Sequence, residues 1–269
     1  MTSQRFLRSL WVFLTWAILF SVAYTQSPLY TSNQNTYFLH GAACAEVGYL
    51  RQDWLANTRD PTPLFSALVC LTLRWLRFPA LFYVYYAILL GIYFSTLYHL
   101  AAREIDLQPR ARRLAFWALF FLIHSAAFRF VLSRTLGAEW TYALEGGLAG
   151  QRVLGSVFQP SSFGVLLLAA INLALQEKIA LALFTLAFAA WFHPTYLLAS
   201  VLLFCAITTW KLAQTFQATP KSDMRQIARS FLRPVLFFVI LIAPVVLYNL
   251  SFVMGVSPQV REEAHRILF

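Results

Sequence analysis

Charged residues are scarce in this sequence. Asp, Glu, Lys and Arg make up 12% of the 269 residues, whereas a soluble domain averages about 25%. Hydrophobic residues make up 59% of the chain, which is more apolar surface than a soluble core can bury. The shortage of charge therefore excludes an ordinary soluble domain and predicts an all-α fold, a polytopic transmembrane helical bundle.

Motifs for common cofactor sites are also missing. The chain has no CxxC, HExxH, Walker A or GxGxxG motif. Its three cysteines, Cys44, Cys70 and Cys205, lack metal-ligand spacing, and the sequence leaves open whether Cys44 and Cys70 pair or stay free. The net charge is +10, but the arginines are dispersed between apolar runs. We therefore expect no nucleic-acid partner.

Long apolar runs take the place of these features. A helix needs about 20 apolar residues to cross a membrane, with a range of about 17–25. We predict a single membrane domain over residues 1–269 with about seven spans, surface helices in the first outer loop, and long outer loops over 25–61 and 133–160. The predicted spans cover residues 10–24, 78–100, 114–132, 161–176, 179–192, 195–210 and 234–254.

Both ends of the chain leave an alternative open. Residues 10–24 follow a basic start, and Ser21-Val22-Ala23 resembles a signal-peptide cleavage site. We favour an uncleaved anchor over a cleaved signal peptide. The chain stops at Phe269, just after an amphipathic stretch begins, and this ending favours the N-terminal part of a longer protein.

Residues 62–77 are short for a span and carry a polar stripe. Thr62 is suited to cap a helix that has Pro63 at its first position, and less apolar side chains recur at helical spacing on one face. This pattern predicts a helix in the membrane interface. If the helix does not cross, twelve of the 21 Lys and Arg residues lie inside, eight lie outside and Arg129 lies within a span. The positive-inside rule then places the N-terminus in the cytoplasm and the C-terminus outside.

The first outer loop, 25–61, offers an acid and a histidine. Thr36 is placed to begin a surface helix and Gly48 to end it. Asp53 lies beside an interfacial tryptophan, where a carboxylate is suited to act as a base. Its alternatives are a helix cap or a salt bridge. His40 is a candidate substrate contact, with simple packing as the alternative.

The second outer loop, 133–160, holds five of the ten glycines. Glycine permits sharp bends, and exposed amides can hold a phosphate; a flexible loop or tight helix packing is the alternative. Glu145 is a candidate second acid or divalent-metal contact, although the cofactor itself stays undetermined. Gln151 and Gln159 are candidate polar contacts, and Arg152 is a candidate phosphate partner.

Two further candidates lie at helix positions. Arg129 falls within a predicted span, where an ionisable side chain usually faces a cavity or a partner. It is a candidate phosphate contact, unless it merely snorkels to the interface. His193 precedes Pro194 at an outer turn and is either a substrate contact or a satisfied turn histidine.

The most distinctive stretches of the sequence are residues 33–37, 48–54, 60–66, 147–161 and 191–195. They resemble a family of uncharacterised bacterial multi-spanning membrane proteins, which in turn looks like the C-superfamily glycosyltransferases. That resemblance implies a bacterial inner-membrane protein that transfers sugar from a polyprenyl-phosphate carrier at the outer face. It implies an acid in the first outer loop as base and cationic groups on the lipid phosphate. The acid expected early in that loop is replaced by Asn33, Gln34 and Asn35.

The resulting prediction is a glycosyltransferase-like membrane protein acting on lipid-linked sugar. Its expected partner is a membrane lipid, a polyprenyl-phosphate sugar. One alternative is a transporter or flippase of lipid or polysaccharide, which predicts an internal repeat and ionisable residues inside several spans. The other is a non-catalytic subunit of an envelope-assembly complex, which predicts that Asp53 and Glu145 can be neutralised without loss of function. The oligomeric state is not predicted.

Overall fold

A computed structural model of the chain describes residues 3–138, 140–141, 152–218 and 224–268. Helices are the regular elements of these residues, which confirms the all-α prediction. Short 3₁₀ turns lie at Leu50–Gln52, Leu55–Asn57 and Pro160–Gly164. The helices are α1 (Ser3–Tyr24), α2 (Gln34–Cys44), α3 (Pro63–Cys70, continued by a π-helical turn at Leu71–Leu76), α4 (Leu81–Glu104), α5 (Arg110–His124), α6 (Ala126–Thr135), α7 (Val165–Leu175), α8 (Ile179–Phe192), α9 (Tyr196–Ala218), α10 (Met224–Met254) and α11 (Pro258–Leu268).

Four helices in the described part are long and apolar enough to cross a membrane, namely α1, α4, α9 and α10. Helices α5 and α6 form a fifth candidate, which is bent by 54°. These helices are typical of an integral membrane protein. The seven predicted spans are not confirmed, because Pro160–Leu175 and α8 fall among the shorter apolar helices.

The helices run between two ends of a bundle. Helices α1 and α4 are antiparallel. They also pack closely, because a Cβ atom added to Gly91 would lie 2.6 Å from Ala17 Cβ. Arg103, near the end of α4, donates a hydrogen bond of 2.9 Å from Nη1 to Leu175 O at the end of α7. We call this the amino-terminal end, because α1 begins there, and the opposite end the loop end.

Two hydrophobic clusters fill the bundle. The first is aromatic and joins α1, α4 and α5; the Phe120 ring lies 4.9 Å from that of Phe20 and 5.0 Å from that of Phe94. The second joins α7 to α10 and consists mainly of alanine and aliphatic side chains, such as Ala182 and Leu186 on the buried helix α8. Small side chains allow α8 to pack among its neighbours on several sides.

The predicted interfacial helix 62–77 forms as α3 and its π-helical turn. The first part of its polar stripe is buried, whereas Arg74 and Arg77 at its end are exposed. Ser66 and Cys70 are buried where α3 packs on α2. Cys70 forms a disulfide with Cys44 at the end of α2, with the Cα atoms 5.7 Å apart. Arg74 Nη1 donates a hydrogen bond of 3.2 Å to Cys44 O. The first part of the stripe is therefore the contact face between two surface helices.

The first surface helix differs from its predicted bounds. Helix α2 begins at Gln34 with Asn33 as its N-cap, rather than at Thr36, and ends at Cys44. It ends before Gly48 because Glu46 already adopts a left-handed conformation, with φ of 59°. Gly48 is also left-handed, with φ of 54°, so it shapes the turn that follows.

Candidate functional site at the loop end

The two predicted outer loops meet at the loop end. Ser27 N donates a hydrogen bond of 2.7 Å to Ser156 O. The buried Gln34 side chain donates from Nε2 to Phe158 O over 3.1 Å and accepts from Tyr30 N over 2.6 Å. These contacts hold residues 152–159 against the start of α2. The chain then enters the 3₁₀ turn Pro160–Gly164 below α2.

A group of polar side chains lies beneath this junction. We call it the polar cluster and define it as Tyr37, Gln159, Ser161, His193 and Tyr196. The Tyr196 hydroxyl donates to Ser161 O over 2.6 Å, and Gln159 Nε2 donates to Ser161 Oγ over 2.8 Å. The His193 ring lies 6.1 Å from that of Tyr37 and 5.5 Å from that of Tyr196, centroid to centroid. The cluster thus brings together two of the predicted site residues, Gln159 and His193.

Glycine at position 164 makes room for this arrangement. A Cβ atom there would collide with the Tyr196 hydroxyl oxygen. Any other residue at this position would push the hydroxyl away from Ser161 O, its hydrogen-bond acceptor. The close approach of α9 to the 3₁₀ turn therefore depends on the missing side chain.

Two buried atoms of the cluster lack a hydrogen-bond partner within the described residues. They are Gln159 Oε1 and His193 Nε2, on side chains that are 7% and 6% exposed. A buried polar atom left unpaired costs about 1–3 kcal/mol, so such atoms are few in native proteins and call for a specific explanation.

The cluster is electrically neutral. Burial lowers the pKa of His193 to about 4, so its imidazole is uncharged at neutral pH. Its Nδ1 accepts a hydrogen bond of 3.2 Å from Thr195 N, which places the ring proton on Nε2. Burial also raises the pKa of Tyr37, which keeps that phenol protonated. His193 Nε2 is therefore a donor and Gln159 Oε1 an acceptor, both without charge.

We expect the protein to lose stability as the pH falls from about 6.5 towards 4. The pKa of His193 is depressed in the folded state, so only the unfolded chain binds a proton there in this range. The loss should reach roughly 2–3 kcal/mol. It is measured as the difference in thermal unfolding midpoint between the wild type and His193→Gln across this pH range, with His99→Gln as a control at an exposed histidine. Parallel profiles for the wild type and His193→Gln would contradict the expectation.

Asp53 and His40 lie in the surface layer above the cluster. Asp53 Oδ1 accepts hydrogen bonds from Leu55 N at 2.9 Å and Ala56 N at 3.0 Å, so the carboxylate caps the 3₁₀ turn Leu55–Asn57. His40 Nε2 lies 3.2 Å from Thr58 O. His40 thus joins α2 to the turn at Thr58, whereas Asp53 bonds within its own turn. The contacts of Asp53 match those of a helix cap, which is one of the two alternatives to its role as a base.

Arg129 is buried at a different place, beside α1. Its Nη1 donates a hydrogen bond of 2.9 Å to His124 O, and its Nη2 donates to Tyr24 O. The guanidinium carbon lies 4.0 Å from the centroid of the Tyr24 ring. The side chain is 7% exposed, so it does not snorkel to the surface. These contacts join α6 to the ends of α1 and α5.

The remaining candidates lie in or beside the second loop. Glu145 and Gln151 fall outside the described residues. Arg152 is exposed at the loop end. Among the described residues, no group of three or more His, Cys, Asp or Glu side chains is arranged to hold a metal ion. A divalent-metal contact at Glu145 therefore stays a prediction.

Comparisons with protein-family models, with curated proteins and with solved structures give no match to this chain. The resemblance to C-superfamily glycosyltransferases stays a prediction from the sequence.

Three members of the polar cluster, Tyr37, Ser161 and Tyr196, were not among the sequence candidates. Tyrosine and serine are common residue types, and nothing in the local sequence marks these three. They belong to the cluster through contacts between residues far apart in the chain. The signal that could have found them is the position of Gln159 and His193, each of which directly precedes a proline before an apolar helix. Polar residues at two such helix entrances predict a shared polar layer.

Proposed function

We propose that this chain is a glycosyltransferase-like membrane protein that binds a lipid-linked sugar at the outer face of the membrane. The observation that carries the proposal is the pair of unpartnered groups in the polar cluster, the acceptor Gln159 Oε1 and the donor His193 Nε2. A sugar hydroxyl both donates and accepts hydrogen bonds. A neutral site of this kind suits the hydroxyls of a sugar better than it suits a charged group.

Several features support an outward position for the loop end. The Cys44–Cys70 disulfide lies there, and disulfides persist in oxidising compartments such as the bacterial periplasm. Tyr49, Trp54 and Trp75 are 87%, 77% and 73% exposed, as expected for aromatic anchors in a membrane interface. With the basic residues of the opposite end, they support an inner-membrane protein whose N-terminus is cytoplasmic and whose C-terminus is outside.

The path of α7 and α8 supports seven crossings as part of this proposal. The 3₁₀ turn before α7 is bonded to Tyr196 at the loop end, while α7 ends beside Arg103 at the amino-terminal end. Helix α8 returns to His193 in the polar cluster. Both helices therefore run between the same two ends as α1 and α4, although they are shorter.

A transferase needs a carboxylate that accepts the proton of the acceptor hydroxyl while the sugar leaves its carrier phosphate. Asp53 and Glu145 are the two acids proposed for this step. The capping bonds of Asp53 favour a second candidate function, the non-catalytic subunit of an envelope-assembly complex, which would bind the lipid-linked sugar without transferring it.

The test uses purified full-length protein and a panel of polyprenyl-phosphate sugars. Binding is measured by thermal shift, and turnover by release of the free carrier phosphate. Gln159→Met removes the polar atoms of the side chain at nearly constant size, and we expect it to weaken binding about tenfold. Gln176→Met, an exposed glutamine at the amino-terminal end, is the matched control and should bind as the wild type does.

The outcomes separate the candidates. Binding without turnover for every sugar favours the non-catalytic subunit. Turnover that collapses in Asp53→Asn or Glu145→Gln identifies the base of a transferase. If no lipid-linked sugar binds, or if Gln159→Met and Gln176→Met bind equally well, the polar cluster is not a sugar site and the proposal fails.

A further inference from the structure

A groove at the amino-terminal end lies far from the polar cluster and has no part in the proposed function. It opens between α1, α4 and α5 and encloses about 810 Å³, a volume in the range of small-molecule sites. We call it the inner groove. The lining side chains that matter here are Arg8, Val12, Trp16, Tyr98, Arg113 and Trp117.

The three helices each present one face to the inner groove. Arg8 and Trp16 are eight residues apart on α1, and Arg113 and Trp117 are four apart on α5, so each pair lies on one helical face. In each pair the arginine is nearer the amino-terminal end and the aromatic ring lies deeper. The groove is therefore cationic at its mouth and apolar within.

Two donors in this groove have no acceptor among the residues that the structure describes. They are Arg113 Nε and the indole Nε1 of Trp117, both of which are buried atoms. The Arg113 guanidinium carbon lies 5.7 Å from the centroid of the Trp117 ring. Both donors belong to residues one helical turn apart on one face of α5.

The two arginines of the groove also lack a described carboxylate partner, unlike cations nearby. Arg112 forms an ion pair with Asp106, and Lys211 forms one with Glu177. No described acid pairs with Arg8 or Arg113. Positive charge and unused donors together call for an anion with several acceptor oxygens, which is the chemistry of a phosphate group.

We propose that the inner groove binds an anionic phospholipid. The phosphate accepts hydrogen bonds from Arg113 and Trp117 and is attracted by Arg8, and one acyl chain lies along Val12 and Trp16. A lipid fits better than a free phosphate, because the groove continues into an apolar wall on α1, a helix of whose span only 11% is buried within the protein. Basic pockets between membrane helices are known to take anionic head groups in this way.

The experiment is native mass spectrometry of the full-length protein with phosphatidylglycerol and phosphatidylcholine of the same acyl chains. The groove variant is Arg8→Gln/Arg113→Gln. The matched control is Arg5→Gln/Arg112→Gln, which removes the same charge from exposed neighbours on the same two helices. We expect the wild type and the control to retain phosphatidylglycerol and the groove variant to bind it about tenfold more weakly or worse.

A second variant tests the geometry without changing the charge. Trp117→Phe keeps an aromatic ring but removes the indole donor, and it should weaken phosphatidylglycerol binding several-fold. Equal weakening in the groove variant and the control would overturn the proposal, because the attraction would then be general. Equal affinity for the two lipids, or tighter binding of a polyprenyl phosphate or of inorganic phosphate than of phosphatidylglycerol, would also overturn it.

Discussion

Replacing Arg129 with methionine is expected to lower the free energy of unfolding by about 3–5 kcal/mol. The guanidinium donates hydrogen bonds to two backbone carbonyls, those of Tyr24 and His124. A hydrogen bond to a charged group contributes about 1.5–3 kcal/mol, and methionine would leave both carbonyls buried without this donor.

The reason for this large effect lies in the bend between α5 and α6. Ser125 adopts an extended conformation, with ψ of 152°, and its hydroxyl caps α6 by accepting from Phe128 N over 3.0 Å. The break leaves carbonyls at the end of α5 without the donors that a continuing helix would supply. Tyr24 is in the same position at the end of α1. Arg129 thus places a positive charge at two helix C-termini, which the helix dipoles favour.

The measurement is a denaturant titration of the detergent-solubilised protein. Arg134→Met is the matched control, because Arg134 lies on the same helix and is exposed. Arg129→Lys should recover only part of the stability, since an ammonium cannot reproduce the planar fork of the guanidinium. If Arg129→Met is as stable as Arg134→Met but binds lipid-linked sugar less well, Arg129 is a substrate contact and not a structural residue.

Apolar runs predicted the helices well, because hydropathy depends on local sequence alone. The predicted span 234–254 lies inside α10, and 78–100 falls on α4 apart from its first three residues. The helix at 62–77 forms where its cap and spacing placed it. The direction in which its polar stripe faces was not predictable. That direction depends on α2, which packs against the stripe, and a helical pattern does not say whether a polar face meets water or another helix.

The candidate site was predictable only in part, for the same reason. Gln159 was chosen as a polar residue of the second outer loop and His193 as the residue before Pro194 at an outer turn. The fold brings both into one cluster. Asp53 was chosen as a candidate base because it is a carboxylate. Its hydrogen bonds from two backbone amides depend on the local turn of the backbone, which its residue type does not indicate. Arg129 likewise finds its carbonyl partners on a helix more than 100 residues earlier in the chain. Residue type indicates what a side chain can do, whereas its partners decide which role it takes.

The disulfide is the remaining feature with a large expected effect. Its cysteines are 26 residues apart, and closing a loop of this length is expected to stabilise the folded state by about 3.5 kcal/mol in the chain-entropy description. Cys44→Ser/Cys70→Ser should therefore unfold at markedly lower denaturant concentration than the wild type. The wild type treated with a reductant should match the double variant. Cys205→Ser, which removes a free exposed thiol, should leave stability unchanged.

Thiol labelling of the denatured protein tests the bond directly and also tests the orientation of the chain. The unreduced wild type should expose one reactive thiol, that of Cys205, and three after reduction. If the loop end faces an oxidising compartment, protein made in cells that cannot oxidise envelope thiols should expose all three without reduction. Three reactive thiols in protein from normal cells would exclude the disulfide. They would also remove the main structural support for an outward-facing loop end. The orientation would then rest only on the charge distribution and the exposed aromatic residues.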